Sequence, residues 1–119
     1  MVNIILYISS CIFIVPVSIY EFYNYSSIHS YMSLITAVTS ILNHGYTYKS
    51  LKIIDRSIVF TMCLININMN KINIYLLPVG IIFYICSKNT KNNIYHILLH
   101  IIGSLSNYLV FNKLNILAI

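Results

Sequence analysis

Long apolar stretches alternate with short polar gaps along almost the whole chain. The apolar stretches run over Asn3–Tyr20, Ile28–His44, Ile53–Met69, Ile72–Ser87 and Ile94–Phe111. Each is close to the lower end of the roughly 17–25 residues that a helix needs to cross the hydrocarbon core of a bilayer. The pattern predicts an all-α membrane protein, a bundle of about five transmembrane helices that forms a single domain over residues 1–119.

The overall composition favours the same class of protein. Hydrophobic residues make up 59% of the chain and charged residues 8%, and the mean hydropathy is +0.83. Soluble domains contain about 25% charged residues, and a soluble domain of 119 residues could not bury apolar stretches of this length. The first stretch has neither a basic segment before it nor a small-residue cleavage motif before Glu21, so we expect it to be retained as a helix.

The basic residues indicate how the helices are oriented. The chain carries a net charge of +5, and its seven Lys and Arg residues lie in the gaps between apolar stretches, which is not the clustered surface of a nucleic-acid-binding protein. Cytoplasmic loops of membrane proteins collect Lys and Arg. A cytoplasmic N-terminus would put Lys49, Lys52, Arg56, Lys88 and Lys91 inside, with Lys71, Lys113 and the acidic Glu21 in outer segments. The sequence thus predicts a multi-pass integral membrane protein with a cytoplasmic N-terminus, in a compartment that it does not identify.

The three cysteines suggest neither disulfides nor a redox site. Cys11, Cys63 and Cys86 are scattered through predicted spans, without a C-x-x-C pair. We interpret them as small apolar fillers.

Ionisable side chains inside the predicted spans point to a functional site, because such groups are costly in lipid and require a partner or a purpose. Ser40 and His44 are four residues apart and share a helix face, and His96 and His100 repeat this spacing. Asp55 opens the third predicted span. The second predicted helix runs from the outer to the inner side, and the third and fifth run from the inner to the outer side. All three histidines and Asp55 would therefore reach the same inner-leaflet layer.

Three converging imidazoles with a free fourth position are typical of a catalytic zinc site. The sequence therefore predicts that His44, His96 and His100 bind Zn²⁺. The chain has two carboxylates, Glu21 and Asp55, and Glu21 is expected in an outer loop. Asp55 is thus the predicted acid/base partner of the metal.

The same residues resemble a known superfamily. The order S-I-L-N-H (Ser40 to His44), I-D-R-S around Asp55, eleven residues after His44, and H-I-L-L-H (His96 to His100) is similar to the CREST superfamily of transmembrane hydrolases, which includes alkaline ceramidases and PAQR receptors. The resemblance covers three helices and the loop between two of them.

This resemblance implies a zinc-dependent intramembrane hydrolase of a lipid amide or a related lipid bond, with a membrane lipid as substrate. By analogy Ser40 would stabilise the oxyanion or the metal-bound water, and Asp55 would take the proton from that water. Members of the superfamily usually have seven helices, whereas five are predicted here, so the resemblance implies a shortened member. Losing two helices preserves the parity of the topology, so the site can still assemble. The acidic N-terminal calcium site of some alkaline ceramidases has no counterpart in this chain.

Other functions would account for some of the same residues. A small oligomeric channel would use Asp55, Asn66 and Asn68 to line a polar path, and a homo-oligomer is compatible with the composition. A non-catalytic membrane interaction protein would keep its histidines for helix packing, the interpretation we prefer for His29. A two-haem protein would use His29 and His44 as axial ligands, but the chain offers no second pair with that wide spacing.

Overall fold

The computed structural model describes residues 3–24, 28–46, 48–90 and 92–118. Within those ranges the chain is all-helical and contains no strand. We name the helices α1 (Ile4–Asn24), α2 (Ile28–Gly45), α3 (Lys49–Met69), α4 (Asn73–Asn89) and α5 (Asn93–Ala118). The all-α prediction is confirmed, and each helix overlaps one predicted apolar stretch. Lys91, which the orientation argument used, lies outside the described residues.

Asparagine side chains define several helix ends, as expected for residues that bond readily to nearby backbone. The side chain of Asn3 accepts a hydrogen bond from the Leu6 amide at 3.1 Å and begins α1. Asn92 does the same for the Ile94 amide, at 3.1 Å, near the start of α5. Between α3 and α4 the backbone turns at Asn70, which is extended and whose amide still donates to the Asn66 carbonyl at 2.9 Å.

The first helix contains one wide turn. Residues Ser10–Ile14 of α1 are π-helical, and the helix is α-helical on either side of them. Turns of this kind occur mostly as single insertions in α-helices, frequently at functional sites. The wide turn follows directly after Ser9, which is buried.

The helices pack in a closed order, each against its neighbours in sequence, and α5 returns to pack against α1. A further contact joins α3 and α5 across the bundle. Helices α1, α2 and α5 meet at the end of the bundle that holds Asn3. There the backbone N–H of Asn3 donates to the backbone carbonyl of His44 at 3.2 Å. The side-chain amide of Asn3 donates to Asn93 Oδ1 at 3.1 Å.

Polar side chains fill the interior and apolar side chains cover the exterior. Among the described residues, sixteen buried side chains are polar or charged and four are apolar, namely Leu6, Ala37, Met62 and Val110. Thirty-two large apolar or aromatic side chains are exposed. This distribution is the reverse of that in a water-soluble protein, whose fully buried positions are mainly apolar.

Two expectations about segment boundaries are wrong. Glu21 was expected in an outer loop, but it lies inside α1 and is 1% exposed. It is held there by His29 and Ser33, a tertiary contact that local hydropathy cannot reveal. The third helix begins at Lys49, four residues before the predicted span, because helical structure continues through the basic segment. Asp55 therefore lies in the second turn of α3.

Among the described residues, α1 is the one helix that is both long and apolar enough to cross a membrane by its own composition. Its mean hydropathy over 18 residues is 1.9. The fourth helix has 17 residues and continues without interruption through Pro78. In α2 the polar residues that reduce hydropathy are mostly buried, from His29 near its start to His44 near its end.

Candidate metal centre

The structure brings together the three histidines that the sequence predicted to converge. His44 stands in the last turn of α2, and His96 and His100 stand in the first two turns of α5. Each ring offers a nitrogen, and these nitrogens all lie within 4.8 Å of one another. The closest described pair is His44 Nε2 and His100 Nε2, at 3.3 Å. The cluster can hold a metal ion.

The spacing of the rings fits tetrahedral coordination. Zinc binds imidazole nitrogen at about 2.0–2.1 Å, which puts two tetrahedral ligands about 3.3 Å apart. The His44–His100 distance already has this value. The three rings meet edge to face, with interplanar angles of 61° to 80°, so they do not stack. Binding of one tetrahedral ion would bring a His96 nitrogen to about 3.3 Å from the other two, which lie within 4.8 Å of it.

The site is buried on two sides and more open on the third. His44 is 6% exposed and His100 is 7% exposed, whereas His96 is only partly buried. A ligand set of three histidines leaves a fourth position for water or substrate in a catalytic zinc site. Access from the His96 side would fit that requirement. Imidazole also suits copper, iron and nickel, so the donor set restricts the metal without naming it.

Two adjacent serines of α1 contact residues of the candidate site. Ser9 Oγ lies 2.9 Å from His100 Nδ1, and Ser10 Oγ lies 2.8 Å from Ser40 Oγ. Ser10 also donates to the Leu6 carbonyl at 3.1 Å. Ser40, the predicted oxyanion residue, is 3% exposed and one turn of α2 from His44. Ser9 and Ser10 belong to none of the motifs in the sequence, although two adjacent serines within an apolar helix are a signal for an interior face.

Asp55 is not one of the metal-ligating groups, and its carboxylate is bonded to two polar side chains of α2. Its carboxylate is 7% exposed and accepts hydrogen bonds from Thr39 Oγ1 at 3.2 Å and Asn43 Nδ2 at 3.1 Å. Thr39 immediately precedes Ser40 in the chain, and Asn43 immediately precedes His44. Helix α2 thus presents two adjacent faces over the same two turns, one toward Asp55 and one toward His100.

A second polar cluster joins all five helices away from the candidate metal centre. Glu21 Oε2 lies 2.7 Å from His29 Nδ1, and His29 Nε2 lies 2.7 Å from Asn66 Oδ1. Asn66 Nδ2 then donates to Ser106 at 3.0 Å and to Asn107 at 2.8 Å. Ser106 donates to Asn73 at 2.8 Å, which adds α4. The prediction that His29 is a helix-packing residue is supported by these contacts.

The residues proposed to line a channel do not share a surface. Asn66 is 3% exposed, and its amide is fully engaged with His29, Ser106 and Asn107. Asn68 is exposed on a different face of α3, because residues two positions apart in a helix do not face the same way.

Comparisons with protein-family models, curated proteins and solved structures find no match to this chain.

Proposed function

We propose that this chain is a membrane-embedded, zinc-dependent hydrolase of a lipid amide or a related lipid bond. The observation that carries the proposal is the convergence of His44, His96 and His100, whose ligand nitrogens lie within 4.8 Å of one another. Neutral imidazoles with an open fourth position are the ligand pattern of catalytic zinc. The resemblance to the CREST superfamily in the same residues supports the choice of metal and reaction.

The distribution of polarity supports a location in lipid. In a bilayer the exterior of a helical bundle faces hydrocarbon, and polar side chains turn inward to bond across helices. This chain exposes residues such as Ile4, Phe60 and Ile82 and buries residues such as Ser30, Ser33 and Asn107. We infer that all five helices cross the membrane together, although α1 is the one helix of the described residues with the composition of an independent span.

The same resemblance suggests a role for each of these residues. His44, His96 and His100 would hold zinc, which when bound supplies a Lewis acid for the substrate carbonyl and an activated water as nucleophile. Asp55 would take a proton from the attacking water and return one to the leaving nitrogen as the carbon–nitrogen bond breaks. Thr39 and Asn43 would keep its carboxylate in place through the hydrogen bonds described above.

Ser40 would stabilise the negative charge that develops on the carbonyl oxygen. Because Ser10 donates its own proton to the Leu6 carbonyl, the Ser40 hydroxyl donates to Ser10 Oγ at 2.8 Å. The Ser40 O–H would turn from Ser10 to the carbonyl oxygen as negative charge develops there, because a hydrogen bond to a charged acceptor is the stronger of the two. A lipid substrate would enter from the surrounding bilayer, and the partly buried His96 marks the more open side of the site.

The test is metal analysis and lipid-amide hydrolysis by the full chain purified in detergent. The wild type should hold about one zinc per chain after loading and should hydrolyse a member of a panel of N-acyl lipids. His96→Gln should lose both properties, whereas the matched control His29→Gln should keep the metal, because His29 lies in the other polar cluster. A wild type that binds no metal would overturn the proposal.

A further inference from the structure

Ser9 stands next to the candidate metal centre and contacts one of its three histidines. Its hydroxyl is 4% exposed and lies 2.9 Å from His100 Nδ1. The opposite nitrogen of the same ring, Nε2, lies 3.3 Å from His44 Nε2. The Ser9 contact therefore occupies one edge of the imidazole and turns the other edge toward the cluster.

We propose that Ser9 is the positioning residue of the metal centre, which fixes the His100 ring so that Nε2 is its ligand atom. The inference rests on the proposed function. In metal sites a ligating histidine usually donates its second ring N–H to a neighbouring group, which fixes the ring and its tautomer. With metal bound, His100 Nδ1 carries the proton and donates it to Ser9 Oγ.

His100 is distinguished from the other two histidines by this contact. Within residues 3–24, 28–46, 48–90 and 92–118, neither His44 nor His96 has a hydrogen-bond partner on its second ring nitrogen. One hydroxyl on α1 thus orients the metal centre formed by α2 and α5. None of the three histidines lies on the first helix, yet Ser9 of that helix fixes the orientation of the His100 ring.

A second bond keeps the two helices in register independently of Ser9. Ser104, one turn after His100, donates to the Phe13 carbonyl at 2.7 Å, and Phe13 lies inside the wide turn of α1. Ser104 Oγ also lies 2.8 Å from the His100 carbonyl, so the same hydroxyl joins both helices. Because this contact remains, removal of the Ser9 hydroxyl should leave the α1–α5 packing in place and release only the ring.

The experiment compares Ser9→Ala with Ser18→Ala in the full chain in detergent. Ser18 is a matched control, a serine on the same helix that is 1% exposed and donates to the Ile14 and Val15 carbonyls. Zinc affinity is measured by competition with a chromogenic chelator, and the ligating nitrogen of His100 is identified by ¹⁵N NMR of the zinc-loaded protein. Ser9→Thr restores the hydroxyl and tests for rescue.

We expect Ser9→Ala to bind zinc about 10–100-fold more weakly, the usual effect of removing a partner of a metal ligand. We also expect the His100 spectrum to lose its single Nε2-bound form. Ser18→Ala should keep wild-type affinity, and Ser9→Thr should recover most of the loss. Unchanged affinity with Nε2 ligation intact in Ser9→Ala, or an equal loss in Ser18→Ala, would overturn the role of Ser9 and leave the proposed function standing. Absence of zinc binding by the wild type would overturn both.

Discussion

His44 Nε2 and His100 Nε2 lie 3.3 Å apart, although 56 positions separate the two residues in the chain. Helix α2 ends where α5 begins, so the last turn of one helix faces the first turns of the other. Two buried imidazole nitrogens at this distance either share a proton or face a common cation. Replacing either residue of this pair is therefore the most direct test of the metal hypothesis.

Replacing either member of this pair should remove the metal. His44→Ala and His100→Ala each delete one of three ligands, and the loss should exceed that for an outer partner, so we expect zinc affinity to fall by roughly 100-fold or more. Chelator competition measures the change. His29→Ala, which removes a histidine outside the cluster, serves as the control for general effects on the fold. Wild-type affinity in both ligand variants would contradict the assignment.

Asp55→Asn should abolish turnover while keeping the metal. Asparagine is nearly the same size and can still accept a hydrogen bond from Thr39, and the Asn43 amide can rotate to match the new donor. The variant lacks a group that exchanges protons, and general acid–base catalysis contributes about 10²–10⁴-fold to rate. Hydrolysis of the lipid amide is compared at equal zinc content. A metal-replete Asp55→Asn protein with normal turnover would rule out the acid/base role.

His29→Ala should destabilise the bundle without affecting the metal. The substitution removes the His29 contacts of Glu21 Oε2 and Asn66 Oδ1, two buried oxygen atoms, and a buried polar group that loses its partner costs about 1–3 kcal/mol. Denaturant unfolding in mixed micelles measures the free energy, and zinc titration serves as the independent control. A variant of normal stability that lost zinc would show that the two polar clusters act as one site.

Reconstituted wild-type protein should not conduct ions across liposomes. The amide of Asn66 is engaged on both its oxygen and its nitrogen, and the exposed Asn68 lies on a different face of α3. Dye release and planar-bilayer conductance both report flux. Sustained conductance that responds to Asp55→Asn and survives loss of the histidines would favour the channel over the hydrolase.

The chain should remain in the membrane fraction after washing with alkaline carbonate. Its exposed apolar and aromatic side chains include Tyr23 at 88% and Ile28 at 83% exposure. Soluble monomeric proteins rarely expose so large an apolar surface. Fractionation with a peripheral membrane protein as control gives a direct answer. Release into the soluble fraction would contradict a bundle embedded in lipid.

The sequence by itself determined the helical class and which three histidines converge. Five apolar stretches with polar gaps are a local signal, because helix formation and hydropathy depend on residues that are near in sequence. The spacing of His96 and His100 also sets their common face through helix geometry alone. Their meeting with His44 followed from the alternation of helix direction.

Only the tertiary structure decided which polar groups surround those histidines. The polar and aromatic sequence neighbours of Glu21 indicate a loop, yet His29 and Ser33 of α2 stabilise Glu21 inside the bundle.

The contact of Ser9 with His100 spans 91 positions and depends on how α1 rotates against α5. Asp55 likewise finds Thr39 and Asn43 through the packing of α2 on α3. Helix rotation and packing are set by the sum of contacts between distant segments, so no local pattern in the sequence specifies them.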